Sequence, residues 1–152
     1  MPKIIQKIVD QIIAHARREA PDECCGLLAG DKGGLQTAPT ITEIYEIKNL
    51  PADDPRIAEL KIAESRTVRY MMDPKEQIQA MRNMRERNLT MLGIYHSHPH
   101  SPAFPSATDV RLAFYPEVFY LIISLEQTAP DLRGFFIIDP KITEAKIEIV
   151  QC

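Results

Sequence analysis

Ile5, Ile8, Val9, Ile12, Ile13 and Ala16 recur at the 3.6-residue period of an amphipathic helix, with Lys7, Gln11, Arg17 and Arg18 on the opposite side. This predicts a first helix from about Lys3 to Ala20, stopped by Pro21. His15, between the apolar positions Ile12 and Ala16, is expected on the surface of that helix. The period then changes to two. Gly26-Leu27-Leu28-Ala29-Gly30 reads as a short buried strand and Asp31-Lys32-Gly33-Gly34 as a turn. Thr40 to Ile47 alternates as a half-buried strand, with Glu43 and Glu46 toward solvent.

From Leu50 to Met72 the pattern weakens. Pro51-Ala52-Asp53-Asp54-Pro55 is read as breaking any helix, and the imperfect alternation from Ala58 to Val68 predicts a loop and then a strand bringing Tyr70 and Met71 to the domain edge. The segment suits either a flap over a site or an ordinary connection. Asp73-Pro74-Lys75-Glu76 combines an N-cap residue, a first-turn proline and an acid, so a second helix runs to about Asn88 with Ile78, Met81 and Met84 inward. Met91 to Tyr95 predicts a buried strand that Pro99 ends, and Val110 to Phe114 finishes a short helix before Pro116. Phe119–Leu125, Leu132–Ile138 and Ile142–Val150 supply three further strands. Five or more strands with two sizeable helices predict an α/β fold, a mixed sheet flanked by helices.

The 152 residues, 45% of them hydrophobic, suit one domain spanning 1–152. A net charge of −3 with scattered lysine and arginine gives no footprint for nucleic acid. The longest apolar run, Phe119 to Ile123, is too short to span a bilayer, and no N-terminal stretch is built like a signal peptide, so a cytoplasmic protein is expected. Three cysteines, two of them adjacent, suggest no disulfide framework. Cys24 and Cys25 are expected to be small buried apolar residues, and Cys152, at the end of the chain, mobile.

Chemistry concentrates at Tyr95-His96-Ser97-His98-Pro99. On a strand, His96 and His98 point to one face and Ser97 to the other, so two imidazole nitrogens can meet one ion at the strand's carboxyl end. His100 is expected to be a solvated loop residue. Pro105-Ser106-Ala107-Thr108-Asp109 then delivers a carboxylate on the first turn of a helix, where Ser106 and Asp109 also approximate a capping box. Two nitrogens and one oxygen leave a fourth tetrahedral position for water, the arrangement of catalytic zinc.

These residues resemble the JAMM motif (His-x-His, ten residues, Asp, with Ser three before the Asp) of the JAB1/MPN/Mov34 metalloprotease family, here His96, His98, Ser106 and Asp109. The family's remaining element is a glutamate near the N-terminus, and Glu23, in Pro21-Asp22-Glu23-Cys24-Cys25-Gly26, stands where such a segment would lie. The resemblance runs from the first helix to about Ile138 and implies a small prokaryotic-type member with a curved sheet and cytidine-deaminase-like layering. It also implies one Zn2+ per chain held by His96, His98 and Asp109, Glu23 as general base and then general acid, and Ser106 as donor to the oxyanion.

Active relatives cleave the isopeptide bond after ubiquitin-like proteins or trim the tails of sulfur carriers. The short stretch 110–119 leaves no room for the second insertion with which eukaryotic deubiquitinases grip a ubiquitin linkage. The expected substrate is therefore the flexible C-terminal tail of a small ubiquitin-like or sulfur-carrier protein, which could add as a strand to a sheet edge. The rivals are an isopeptidase on conjugated ubiquitin-like proteins, a non-catalytic scaffold of the same fold, and a Cys24 or Cys25 nucleophile paired with His96 or His98. The His-x-Glu and Cys-x-x-Cys of zinc nucleoside deaminases and the His-Glu-x-x-His of thermolysin-like enzymes do not occur. Oligomeric state is left open.

Overall fold

The apolar run ending in the histidines forms a strand near the middle of one eight-stranded mixed sheet. The computed structural model describes residues 1–62 and 65–151. Residues 63–64 of the imperfect alternation and the expected mobility of Cys152 lie outside the described residues. In chain order the elements are β1 (Lys3–Ile5), α1 (Gln6–Glu19), β2 (Cys25–Asp31), β3 (Thr40–Ile47), α2 (Pro55–Leu60), α3 (Pro74–Glu86), β4 (Thr90–His98), α4 (Ala107–Arg111), β5 (Phe119–Ser124), β6 (Asp131–Ile138), β7 (Lys141–Ala145) and β8 (Glu148–Val150).

The strands lie in the order β7-β6-β5-β4-β2-β3-β1-β8. β4 pairs antiparallel with β2 and parallel with β5, so its carboxyl end, with His96 and His98, is held on both sides. Gly93 permits this: a Cβ there would meet Phe119 O of β5 at 2.4 Å. β7 and β8 are consecutive in the chain yet occupy opposite edges. A flat eight-stranded sheet would be about 34 Å wide, whereas the link from Ala145 to Glu148 reaches at most about 11 Å. The sheet must therefore curl until its edges approach at that corner.

Alternation along the central strands sorts the core onto two faces. Cys25, Leu27, Ala29, Ile94 and Ile122 pack with Ala80 and Met84 of α3. Leu28, Tyr95, Leu121 and Ile123 pack with Ile8, Val9, Ile12 and Ala16 of α1. His96 and His98 share the parity of Ile94, so they emerge on the α3 side, and Tyr95 and Ser97 face α1.

Several expectations are corrected. The first helix starts at Gln6, because Lys3–Ile5 pairs in parallel with both β3 and β8. Fully buried Ile4 serves a strand as well as a helix, and no capping side chain stands before Gln6 to separate the two. His15 is buried, its Nδ1 2.8 Å from the Tyr95 hydroxyl; it belongs to the apolar stripe that flanks it. Pro51–Pro55 does not exclude a helix: Asp54 accepts from Arg56 N at 2.9 Å and Pro55 opens α2, the same cap-plus-proline start as Asp73-Pro74. No strand forms among the described residues of 58–71, and Met72 makes only an isolated bridge with Asn49.

Ile78 is 58% exposed, and Ala80 and Met84 are the buried residues of α3. α4 ends at Arg111 rather than Phe114, with Leu112 as its C-cap donating from its N–H to Thr108 O at 3.0 Å. The final alternation splits into β7 and β8 where the chain crosses between edges.

Candidate metal centre

Three segments bring the side chains together. The two-residue period of β4 sets His96 and His98 side by side, and Ser97, turned the other way, accepts a hydrogen bond from Cys24 N at 2.8 Å. That bond ties the strand to the segment carrying Glu23. The loop after β4 is anchored by Leu125 N donating to His98 O at 3.1 Å and by the Ser124 hydroxyl donating to Ser101 O at 2.6 Å. Ser106 then opens α4 in a full capping box: its Oγ accepts from Asp109 N at 3.0 Å, and its own N–H donates to Asp109 Oδ2 at 2.8 Å. The cap fixes where the carboxylate points.

The result is a tight triangle of His96 Nε2, His98 Nε2 and Asp109 Oδ2, with separations of 3.0, 3.1 and 3.2 Å. His98 Nδ1 lies 2.8 Å from Pro102 O, which can only accept, so Nδ1 carries the proton and neutral His98 presents a bare lone pair at Nε2. Between that nitrogen and the Asp109 carboxylate there is a place for positive charge, a metal ion or, without one, the proton that Asp109 favours on His98. Tetrahedral bonds of about 2.0–2.1 Å give ligand separations of about 3.3 Å, close to the triangle found. Glu23 stands behind it, with a carboxylate oxygen within 4.8 Å of imidazole nitrogens of both histidines. All four residues are buried, whereas the Ser106 side of the site is exposed. Glu23 Oε1 and His96 Nδ1 are buried without a hydrogen-bond partner among the described residues. An orphaned carboxylate oxygen beside converging nitrogens fits a metal ion and its water.

Electrostatics divide the group: burial would lower His98, but Asp109 and the Pro102 carbonyl raise it above its ordinary value. Burial would raise the Asp109 carboxyl, but the two imidazoles and the Ser106 N–H hold it well below the carboxylate range. Burial pushes His96 down, toward the neutral form a ligand needs. Burial also pushes Glu23 up from 4.5 to about 8, with His98 opposing and Asp109 reinforcing.

In metal-free protein the folded state therefore keeps a proton on Glu23 that the unfolded chain has released, so this group's contribution to stability falls as pH rises from 4.5 to about 8. Metal-free Glu23→Gln is expected to gain stability over metal-free wild type across that window, by about a few kcal/mol. Urea unfolding of both near pH 5 and near pH 8 measures the difference, and a pH-independent difference contradicts a protonated Glu23.

Burial drives the Cys24 thiol up to about 12 and Cys25 well above its usual range, and Cys25 Sγ contacts Ile47 O at 3.4 Å. Neither is a poised thiolate, which removes the cysteine-nucleophile rival. His100 is exposed and outside the triangle. Tyr70 was expected at the domain edge. Its ring instead stacks on His96, with centroids 4.4 Å apart. Only the tertiary fold reveals this, because Tyr70 and His96 lie on separate segments with no shared periodicity.

The family model for prokaryotic homologs of the JAB domain matches residues 6–137. The chain belongs to this JAB family. Among the similar members, a "CysO-cysteine peptidase" of Mycobacterium tuberculosis is 34% identical over 145 residues, covering 95% of this chain and 88% of that protein. A "desampylase" of Haloferax volcanii is 37% identical over 119 residues, 76% of this chain and 74% of that one. A solution structure of a Desulfitobacterium hafniense protein is 37% identical and superposes on this JAB domain with a TM-score of 0.83, covering 99% of this chain and 94% of the other. Among the described residues, no helix is long and apolar enough to cross a membrane.

Proposed function

We propose that this protein is a zinc peptidase that hydrolyses the amide or isopeptide bond at the C-terminal tail of a small ubiquitin-like or sulfur-carrier protein. The observation that carries the reading is the triangle of two imidazole nitrogens and one carboxylate oxygen, with an unpartnered buried glutamate beside it, in a JAB-family chain. The name of the mycobacterial relative supports a carrier-protein substrate, and that of the haloarchaeal one supports removal of a protein modifier. Free buried Cys24 and Cys25 suit a reducing cytoplasm.

His96, His98 and Asp109 would hold one Zn2+, whose nitrogen and oxygen donors and open fourth position suit this metal. When bound, the ion lowers the pKa of water and polarises the scissile carbonyl. Glu23 takes a proton from the attacking water and delivers it to the leaving nitrogen. Its burial suits both halves of that cycle, because a carboxyl with raised proton affinity accepts readily and is not trapped as a solvated anion. Ser106 Oγ already accepts from Asp109 N, and its own O–H remains to donate to the developing oxyanion.

Addition of the tail to a sheet edge is disfavoured as the route to this site. β4 is paired on both sides, and the open edges at β7 and β8 lie three and four strands away. The arrangement favours a tail that crosses the carboxyl end of β4. Intact-mass analysis of ubiquitin-fold carriers with C-terminal extensions, incubated with zinc-loaded protein, tests the reading. Loss of a defined C-terminal mass supports it, and failure of the protein to bind zinc sinks it in favour of a scaffold.

A further inference from the structure

Asn49, just past the end of β3, is 8% exposed and lies between Glu23 and the strap of residues 65–72. Its Nδ2 donates to Glu23 O at 2.9 Å and to Arg69 O at 3.0 Å. Its Oδ1 accepts from Arg69 Nη1 at 2.6 Å and from Met71 N at 2.9 Å. Carbonyls can only accept, and an amide N–H or guanidinium can only donate, so the carboxamide has one satisfactory orientation and every donor and acceptor on it is used.

The same strap holds Glu23 from the other side. Glu23 N donates to Arg66 O at 2.7 Å, Leu50 N donates to Met71 O at 2.8 Å, and Arg66 pairs with Asp22 at 3.4 Å. Both backbone polar groups of Glu23 are therefore fixed, the N–H by the strap and the C=O by Asn49. Tyr70, between the two strap residues that Asn49 grips, is the ring stacked on His96.

We propose that Asn49 is a positioning residue for hydrolysis, its carboxamide locking the strap to the Glu23 backbone so that the Glu23 carboxylate and the Tyr70 ring keep their places against the histidines. The proposal rests on the peptidase reading above. Asn49 touches no reacting atom. Its effect comes from leverage: a small rotation of an unpinned Glu23 backbone displaces the carboxylate at the end of its side chain, and displacements near 1 Å cost about 100-fold in rate.

Asn49→Asp is the informative variant. It keeps the shape and the acceptor for Arg69 and Met71 N, and its charge faces the Arg69 guanidinium. It replaces the donor with an oxygen aimed at the Glu23 and Arg69 carbonyls. On a ubiquitin-fold carrier ending in Gly-Gly with one added C-terminal cysteine, kcat is expected to fall about 10- to 100-fold with KM within about twofold. Zinc content per chain should be unchanged. Independently of activity, hydrogen exchange at the Glu23 and Leu50 amides should accelerate while that of β4 and β5 does not.

Glu23→Gln is the comparator: it should lose kcat and leave those amides protected. Asn49→Ser, which leaves space for a water on Glu23 O, should show a smaller loss and stands in if the aspartate variant does not fold. Unchanged exchange at both amides, or a kcat loss that follows zinc loss or general melting, overturns the proposal. If wild type cleaves no carrier, the peptidase reading fails, and the exchange measurement still decides whether Asn49 couples the strap to Glu23.

Discussion

Glu23→Gln is expected to lower kcat for tail hydrolysis by about 10²- to 10⁴-fold, the usual contribution of a positioned acid-base group, with KM and zinc content close to wild type. Glutamine matches glutamate in shape, so the hydrogen bonds from Glu23 N to Arg66 O and from Asn49 Nδ2 to Glu23 O should survive. What would disappear, on the proposed mechanism, is the capacity to carry a proton from water to the leaving nitrogen. Asp109 Oδ2 lies 3.1 and 3.2 Å from the two imidazole nitrogens and completes the donor triangle without Glu23. Glu23 is then left to act on a water rather than as a ligand, so the variant should stay loaded with metal. Steady-state kinetics with metal analysis on the same preparation checks both halves. A variant retaining more than about a tenth of wild-type kcat removes Glu23 from the proton-transfer role.

The same residues show why parts of the site could be read from sequence and parts could not. His96 and His98 are two apart on a strand, and Ser106 and Asp109 span one capping box. Their relative directions follow from local periods of two and three, which a sequence displays directly. Asn49 and Tyr70 reach the site from segments whose local patterns say nothing about it. Asn49 lies 26 residues from the carbonyl it holds, and Tyr70 also 26 from the ring it covers. Both arrive only when β3 and the strap are docked.

The fold divides similarly. The strong alternation and capping signals placed α3, β3, β4, β5 and β6 within a residue or two. The errors fell where one pattern serves two structures. Ile4 and Ile5 fit a strand or a helix start, and Asp54-Pro55 reads as a breaker or as a cap. The apolar positions Ile142, Ile147 and Ile149 suit one strand or two on opposite edges of a curled sheet. His15 failed for a related reason: a polar residue on an apolar stripe is buried when a partner such as the Tyr95 hydroxyl awaits it, and that partner lies 80 residues away.

Asp109→Asn should remove metal and activity together. The amide oxygen can still accept from Ser106 N, and the Ser106 side of the capping box is untouched, so α4 should keep its start. The negative charge is lost, and with it the anion that both imidazoles face at 3.1 and 3.2 Å. A neutral amide cannot offset the charge of a dication in a buried site, so zinc content should fall from about one per chain to under about a tenth, and hydrolysis by more than about 10³-fold. Chelation should inactivate wild type reversibly and remove ligand-linked stability, about 4 kcal/mol where free zinc stands at a thousand times its dissociation constant. The variant's unfolding should be indifferent to chelator. Because Glu23, His96 and His98 alone could group around an ion, the opposite result is equally informative. If the variant keeps stoichiometric zinc but loses activity, Glu23 has moved in as the third ligand and can no longer serve as the base, and the separation between ligand and base rests on the Asp109 carboxylate occupying its corner of the triangle first.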